Sequence, residues 1–120
     1  MHAEFIELPP FERHRETFLD DDAFRRLQAM LVMHPEAGDV IPGAGGLRKL
    51  RYVDERRHKG KRGGLRVIYY YWLGGAQFWL FTLYDKEKQD DLTDAQRRQL
   101  GQLLAFELKA RQSNDAGCIR

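Results

Sequence analysis

The chain has 120 residues, 42% hydrophobic and 12% aromatic, with 32% charged and a formal net charge of +2. That length suits one domain with a real core, which argues against global disorder. No apolar run reaches the roughly 18 residues of a bilayer span, MHAEFIELPP lacks the layout of a secretory signal, and unpartnered Cys118 fits a reducing compartment, so a cytoplasmic protein is expected.

In chain order, AEFIEL reads as a short first strand, ended by Pro9 and Pro10, which suit a first helical turn. FERHRETFL predicts a short helix with Phe11, Arg15 and Phe18 on one side. Asp20, Asp21 and Asp22 supply an N-cap and favourable charge for a second helix. Its apolar stripe is Phe24, Leu27 and Leu31, and Pro35 ends it. EAGDVIPGAGG predicts a loop, and LRKLRYV a strand with Leu50 and Tyr52 on one face and Lys49 and Arg51 on the other. DERRHKGKRGG is a long polar connection.

LRVIYYYWL and QFWLFTLYDK are then two strands, apolar on both faces, joined at Gly74-Gly75. Thr93 and Gln96 have capping-box spacing and open a final helix carrying Leu100, Leu103, Leu104 and Leu108. RQSNDAGCIR, residues 111–120, is expected to be a flexible tail. The expected fold is therefore α+β, order β-α-α-β-β-β-α, with helices on one face of an antiparallel sheet and the basic strand residues on the other.

Several chemistries find no support. The four histidines show no metal-ligand pairing, and the only serine and cysteine, Ser113 and Cys118, lie in the tail. No phosphate-cradling nucleotide loop is present, and helix-dipole complementarity accounts for Asp90 and Asp91. What remains is charge. Between Arg48 and Arg66, nine basic residues stand against Asp54 and Glu55, so this segment carries +7 and the rest −5. Such an island points to a polyanion site.

Lys49 and Arg51 share a strand face, Arg66 opens the next strand, and Tyr84 and Lys86 fall two apart at the end of the last. Any one alone suits a solvated surface; together they predict convergence at one end of the sheet. Lys59, Lys61 and Arg62 lie among Gly60, Gly63 and Gly64, whose backbone can approach a phosphate closely. With Arg48 and Arg57 they are candidates for backbone contacts to RNA, and Tyr52 or Tyr84 for stacking on a base.

The blocks LRKLRY, GKRGGLRVIYYY and LYDKEKQDDLT, in this order and followed by a capped helix, resemble the RelE/ParE superfamily, specifically its HigB-like toxins. The resemblance spans roughly residues 3 to 109. It implies a type II toxin that cleaves messenger RNA on the ribosome without a metal or other cofactor. The RNA 2′-hydroxyl would attack the adjacent phosphodiester, and a cognate antitoxin, of helix-turn-helix type, would neutralise the toxin and carry any operator-DNA binding.

By position, Lys49 and Arg51 match the paired basic residues of the family's second strand, and Arg66 the arginine that contacts the scissile phosphate. Lys86 stands where many relatives have arginine, keeping the charge without the bidentate fork. For the general base, Lys49, Lys61 and Tyr84 are candidates, with His58 behind them. Two other functions fit the same residues: a ParE-like gyrase inhibitor, and a non-catalytic RNA- or antitoxin-binding module.

Overall fold

In the computed structural model of the chain, the described residues are 3–52, 64–72, 74, 76–86, 88–89 and 91–119, with side chains as far as Arg111. Their elements are β1 (Glu4–Glu7), α1 (Pro9–Phe18), α2 (Asp21–Met33), β2 (Asp39–Val40), β3 (Arg48–Tyr52), β4 (Leu65–Trp72), β5 (Gln77–Asp85) and α3 (Asp94–Ile119). The class is α+β.

Local chemistry sets the helix starts. Pro9 and Pro10 occupy the first turn of α1. The Ala23 N–H donates to Asp20 Oδ1 at 2.7 Å and caps α2, whose Phe24, Leu27 and Leu31 are all buried. Before α3, the Gln96 N–H donates to Thr93 Oγ1 at 3.1 Å while the Thr93 N–H donates to Gln96 Oε1 at 2.9 Å, a reciprocal capping box.

The sheet has five strands in the order β1-β5-β4-β3-β2 and differs from the expectation in two ways. It is mixed rather than antiparallel, because β1 pairs with β5 in parallel, Phe5 beside Phe78 and Ile6 beside Trp79. β1 thereby covers an edge of β5 that would otherwise expose its ladder groups beside large apolar side chains. Phe5, Phe78 and Tyr71 stack in succession across β1, β5 and β4, with ring centroids 4.9 and 4.8 Å apart. The second difference is β2, a two-residue strand within the segment expected to be a loop, pairing Asp39 with Lys49 and Val40 with Arg48.

Helices cover both faces, not one. On the first, Phe11, Phe24, Leu27 and Leu31 of α1 and α2 pack on Leu50, Val67, Tyr69, Phe78 and Leu80. On the second, Leu100 and Leu104 of α3 join Ile41, Ala44 and Leu47 over Ile68, Trp79 and Phe81. The cause is the composition of β4 and β5, whose successive side chains are apolar, so neither face can be left to water. α3 runs to Ile119 and takes in most of the segment expected to be a tail. Residues 53–63 of the connection between β3 and β4, including Arg57, His58, Lys59, Lys61 and Arg62, lie outside the described residues.

One irregularity decides what the second face presents. The β4–β5 register shifts between Ile68 and Tyr69: Ile68 is opposite Thr82 but Tyr69 opposite Leu80, so Phe81 is the extra residue of a bulge. Before the bulge, Trp79 points to the α3 face and Leu80 away from it; beyond it, Leu83 points away and Tyr84 joins the α3 face. Unbroken alternation from Phe78 and Leu80 would send Tyr84 to the opposite core. The bulge turns it toward α3.

Candidate functional site

The sheet registers place Arg51 opposite Arg66, and Arg66 opposite Tyr84. Three neighbouring strands thus present Arg51, Arg66 and Tyr84 as a row across the α3 face. Lys49, two residues before Arg51 and opposite Ile68, stands beside them. Convergence of these four with Lys86 was expected from strand alternation, and the registers bring the four together. Like charges set directly opposite across strands repel each other. Arg51 and Arg66 are held in that arrangement by the hydrogen bonds and packing of the sheet.

Arg66 is 3% exposed, a deep position for a cation. Burial and the adjacent Arg51 lower its pKa, while Tyr84, Asp85 and Asp91 oppose that shift. Its Nη1 donates to the Leu65 carbonyl at 3.3 Å. Asp85, also buried, is at the end of β5 and contributes negative charge nearby. A guanidinium fixed this way does not have to reorganise when negative charge develops in front of it.

Tyr84 is 9% exposed, and its sealed hydroxyl makes no hydrogen bond among the described residues. Burial and the nearby Asp91 carboxylate push its pKa up to about 12. At neutral pH it is therefore a phenol that can donate a hydrogen bond or proton, not a base poised to accept one.

Asp91 and Arg97 complete the surroundings. The Lys49 Nζ donates to Asp91 Oδ1 at 3.2 Å, and the Leu92 N–H donates to the same oxygen at 2.8 Å. Burial acts to raise the Asp91 pKa, but the Leu92 N–H, Lys49 and Arg97 outweigh it and hold the carboxyl below its ordinary value. With its side chains 25% and 55% exposed, the Lys49–Asp91 pair is worth at most about 1 kcal/mol. Arg97, in the first turn of α3, donates through Nη2 to Asp94 Oδ1 at 3.1 Å and to the Leu92 carbonyl at 3.4 Å. Lys49, Arg51, Asp91 and Arg97, with Asp39 to Pro42, line a cleft of about 150 Å³.

Arg48 and Tyr52 lie elsewhere, and Lys86 follows the end of β5. Arg48 is not part of the cluster: its Nη1 donates to the Gly38 carbonyl at 2.8 Å, and it pairs with Glu36 at 3.8 Å. It secures the approach to β2. Lys86 lies past the last strand residue, Asp85, in a turn where its backbone N–H donates to the Gly64 carbonyl at 3.2 Å. That bond extends the β4–β5 pairing by one residue on each strand. Tyr52 faces the α1/α2 core and donates to the Ala23 carbonyl at 3.3 Å.

The sequence reading missed Asp91 and Arg97. Dipole complementarity accounts for Asp91 only in part, since its carboxylate also reaches back to β3. Arg97 carried a signal: a cation in the first turn of a helix sits against the macrodipole and requires a local reason. A larger hollow, about 450 Å³, lies by Met33, His34, Pro35 and Tyr71. It lacks the convergent cations, so size alone does not choose the site.

Among the described residues, no group of three or more His, Cys, Asp or Glu gathers as a metal would require. No helix among them is long and apolar enough to cross a membrane. No protein-family model matches the chain.

Proposed function

We propose that this protein is a toxin of the RelE/ParE superfamily, of HigB-like type, and cuts messenger RNA on the ribosome. The observation that carries the reading is the Arg51–Arg66–Tyr84 row, with Lys49 beside it, on one face of three neighbouring strands. It is supported by the sequence resemblance of the blocks that supply these four residues.

In the proposed reaction, the 2′-hydroxyl of one nucleotide gives up its proton to solvent and attacks the adjacent phosphorus, as the bond to the 5′-oxygen breaks and that oxygen takes up a proton. The products are a 2′,3′-cyclic phosphate and a 5′-hydroxyl. Arg66 faces the non-bridging oxygens, where negative charge grows in the transition state. Lys49 and Arg51 hold the RNA backbone, and the protonated Tyr84 donates toward the phosphate or the departing oxygen. Lys86, Lys59, Lys61, Arg62 and Arg57 belong to the proposed RNA and ribosome contacts. An antitoxin of helix-turn-helix type is the proposed partner, and the cytoplasm the proposed compartment.

The test is expression without antitoxin in bacterial cells, with growth and messenger RNA ends followed together. The parent chain arrests growth and produces new 5′ ends within coding regions. Arg66→Gln lowers cleavage about 100-fold or more. Growth arrest accompanied by DNA damage and intact messenger RNA would instead support gyrase inhibition. RNA binding without cuts would support a non-catalytic module.

A further inference from the structure

The cleft beside the proposed reaction centre holds three cations from two sources: Lys49 and Arg51 from β3, and Arg97 from the first turn of α3. Asp91 faces them from the segment leading into α3, and Asp39 faces Lys49 across the β2–β3 pair. Counting formal charges, the cleft has three positive and two negative groups, and Asp91 is the acid in direct contact with Lys49, at 3.2 Å.

That carboxylate is where an incoming anion would sit. One of its oxygens already accepts from both the Lys49 ammonium and the Leu92 N–H, as a phosphate oxygen could. The ion pair is solvent-accessible, so exchange of one anion for another on Lys49 carries little penalty. Arg97 fits the same picture. Its Nε is sealed from solvent without a hydrogen-bond partner among the described residues, and its Nη2 makes shared contacts at 3.1 and 3.4 Å. A guanidinium so incompletely satisfied, at the helix end that disfavours cations, gains from a further anion.

We infer that this cleft takes a backbone phosphate of single-stranded RNA on Lys49, Arg51 and Arg97, and that Asp91 is the resident counter-ion which this phosphate displaces from Lys49. The choice of RNA rests on the proposed function; the anion site rests on the cleft itself. Arg97 is thus a substrate-binding residue contributed by the final helix. Asp91 weakens association with polyanions until a strand engages the site.

The test uses a short 2′-O-methyl oligouridylate, which binds but cannot be cut because its 2′-oxygens are blocked. Anisotropy titrations at several salt concentrations compare the intact parent protein with Arg97→Gln, Asp91→Asn and a control, Arg26→Gln on the exposed side of α2. Arg97→Gln should weaken binding about tenfold and lower the salt slope by about 0.7, the loss of one single-strand phosphate contact. Asp91→Asn should tighten binding about threefold, and Arg26→Gln should leave the slope unchanged. Titrating inorganic phosphate into the unmodified protein, with backbone amide resonances followed, should move the Leu92 N–H as the Asp91 carboxylate is displaced. This keeps the inference testable even if a variant folds poorly.

An unchanged slope in folded Arg97→Gln, weaker binding by Asp91→Asn, or an immobile Leu92 resonance would each overturn the inference. Because the probe cannot be cleaved, these results are independent of nuclease activity. Intact ribosomal cleavage with no phosphate effect would sink only this inference, and phosphate binding without cleavage would sink only the proposed function.

Discussion

Tyr69 and Tyr84 are both buried strand tyrosines, on opposite faces of one sheet, and their hydroxyls meet opposite conditions. The Tyr69 hydroxyl donates to the Pro35 carbonyl at 2.8 Å and accepts from the Gly38 N–H at 3.0 Å. Gly38 passes so close that a Cβ there would lie 2.9 Å from the Tyr69 ring. The Tyr84 hydroxyl is equally sealed and makes no hydrogen bond among the described residues. The first is a structural strut, joining the end of α2 to the approach to β2. The second is a polar group set among Arg66, Asp91 and Arg97. The Tyr69 hydroxyl is satisfied internally; the Tyr84 hydroxyl has no such strut among the described residues.

The α3 face repeats the contrast along its own length, so the largest expected effect comes from its apolar part. Trp79 is fully buried and donates through Nε1 to Gln77 Oε1 at 2.9 Å. Trp79→Ala should cost about 3–5 kcal/mol of stability, read as a lower urea midpoint. A loss below about 1 kcal/mol would mean that α3 covers this face only loosely.

Next comes the direct comparison of the tyrosines. Tyr69→Phe leaves the Gly38 N–H and Pro35 carbonyl without a partner and should cost about 1–3 kcal/mol. Tyr84→Phe breaks no hydrogen bond among the described residues and should stay within about 0.5 kcal/mol of the parent, while cleavage falls. Equal losses of stability would erase the distinction between strut and site.

Tyr84 also carries a signature in pH. A free phenol ionises near about 10, whereas Tyr84 is pushed up to about 12. The fold therefore favours its protonated form. This contribution is fully present below about pH 10 and is lost as pH rises toward about 12. Phenol absorbance should show an ionisation near about 12 in the parent that is missing from Tyr84→Phe. Alkaline destabilisation of the variant should be correspondingly smaller. The smallest effect is expected at Asp91, where Asp91→Asn should change stability by no more than about 1 kcal/mol.

Much of the fold was legible because local chemistry and alternation agree. Proline at α1, Asp20 at α2 and Thr93 with Gln96 at α3 fixed the helix starts, and the alternation in β3 separated Lys49 and Arg51 from Leu50 and Tyr52. The sequence also carried an argument for covering both faces, in the unbroken apolar runs of β4 and β5, which a one-faced arrangement could not satisfy. The parallel pairing of β1 left no local sign, since strand direction depends on where the chain returns. Nor did the bulge at Phe81, which reverses the face of every later residue in β5. Tyr84, expected near the basic residues, stands opposite Arg66 in the register. Asp91 and Lys49, 42 positions apart, meet only through the tertiary fold.

The central claim is that the Arg51–Arg66–Tyr84 row is a ribonuclease centre. Its most direct test is a purified translation system programmed with a defined messenger RNA, in which cleavage sites are mapped by primer extension and the new ends identified chemically. The account predicts cuts bearing 2′,3′-cyclic phosphate and 5′-hydroxyl ends for the parent, and their near-complete loss in Arg66→Gln and in Tyr84→Phe. Undiminished cutting by both variants, or intact messenger RNA with the folded parent protein, would contradict it.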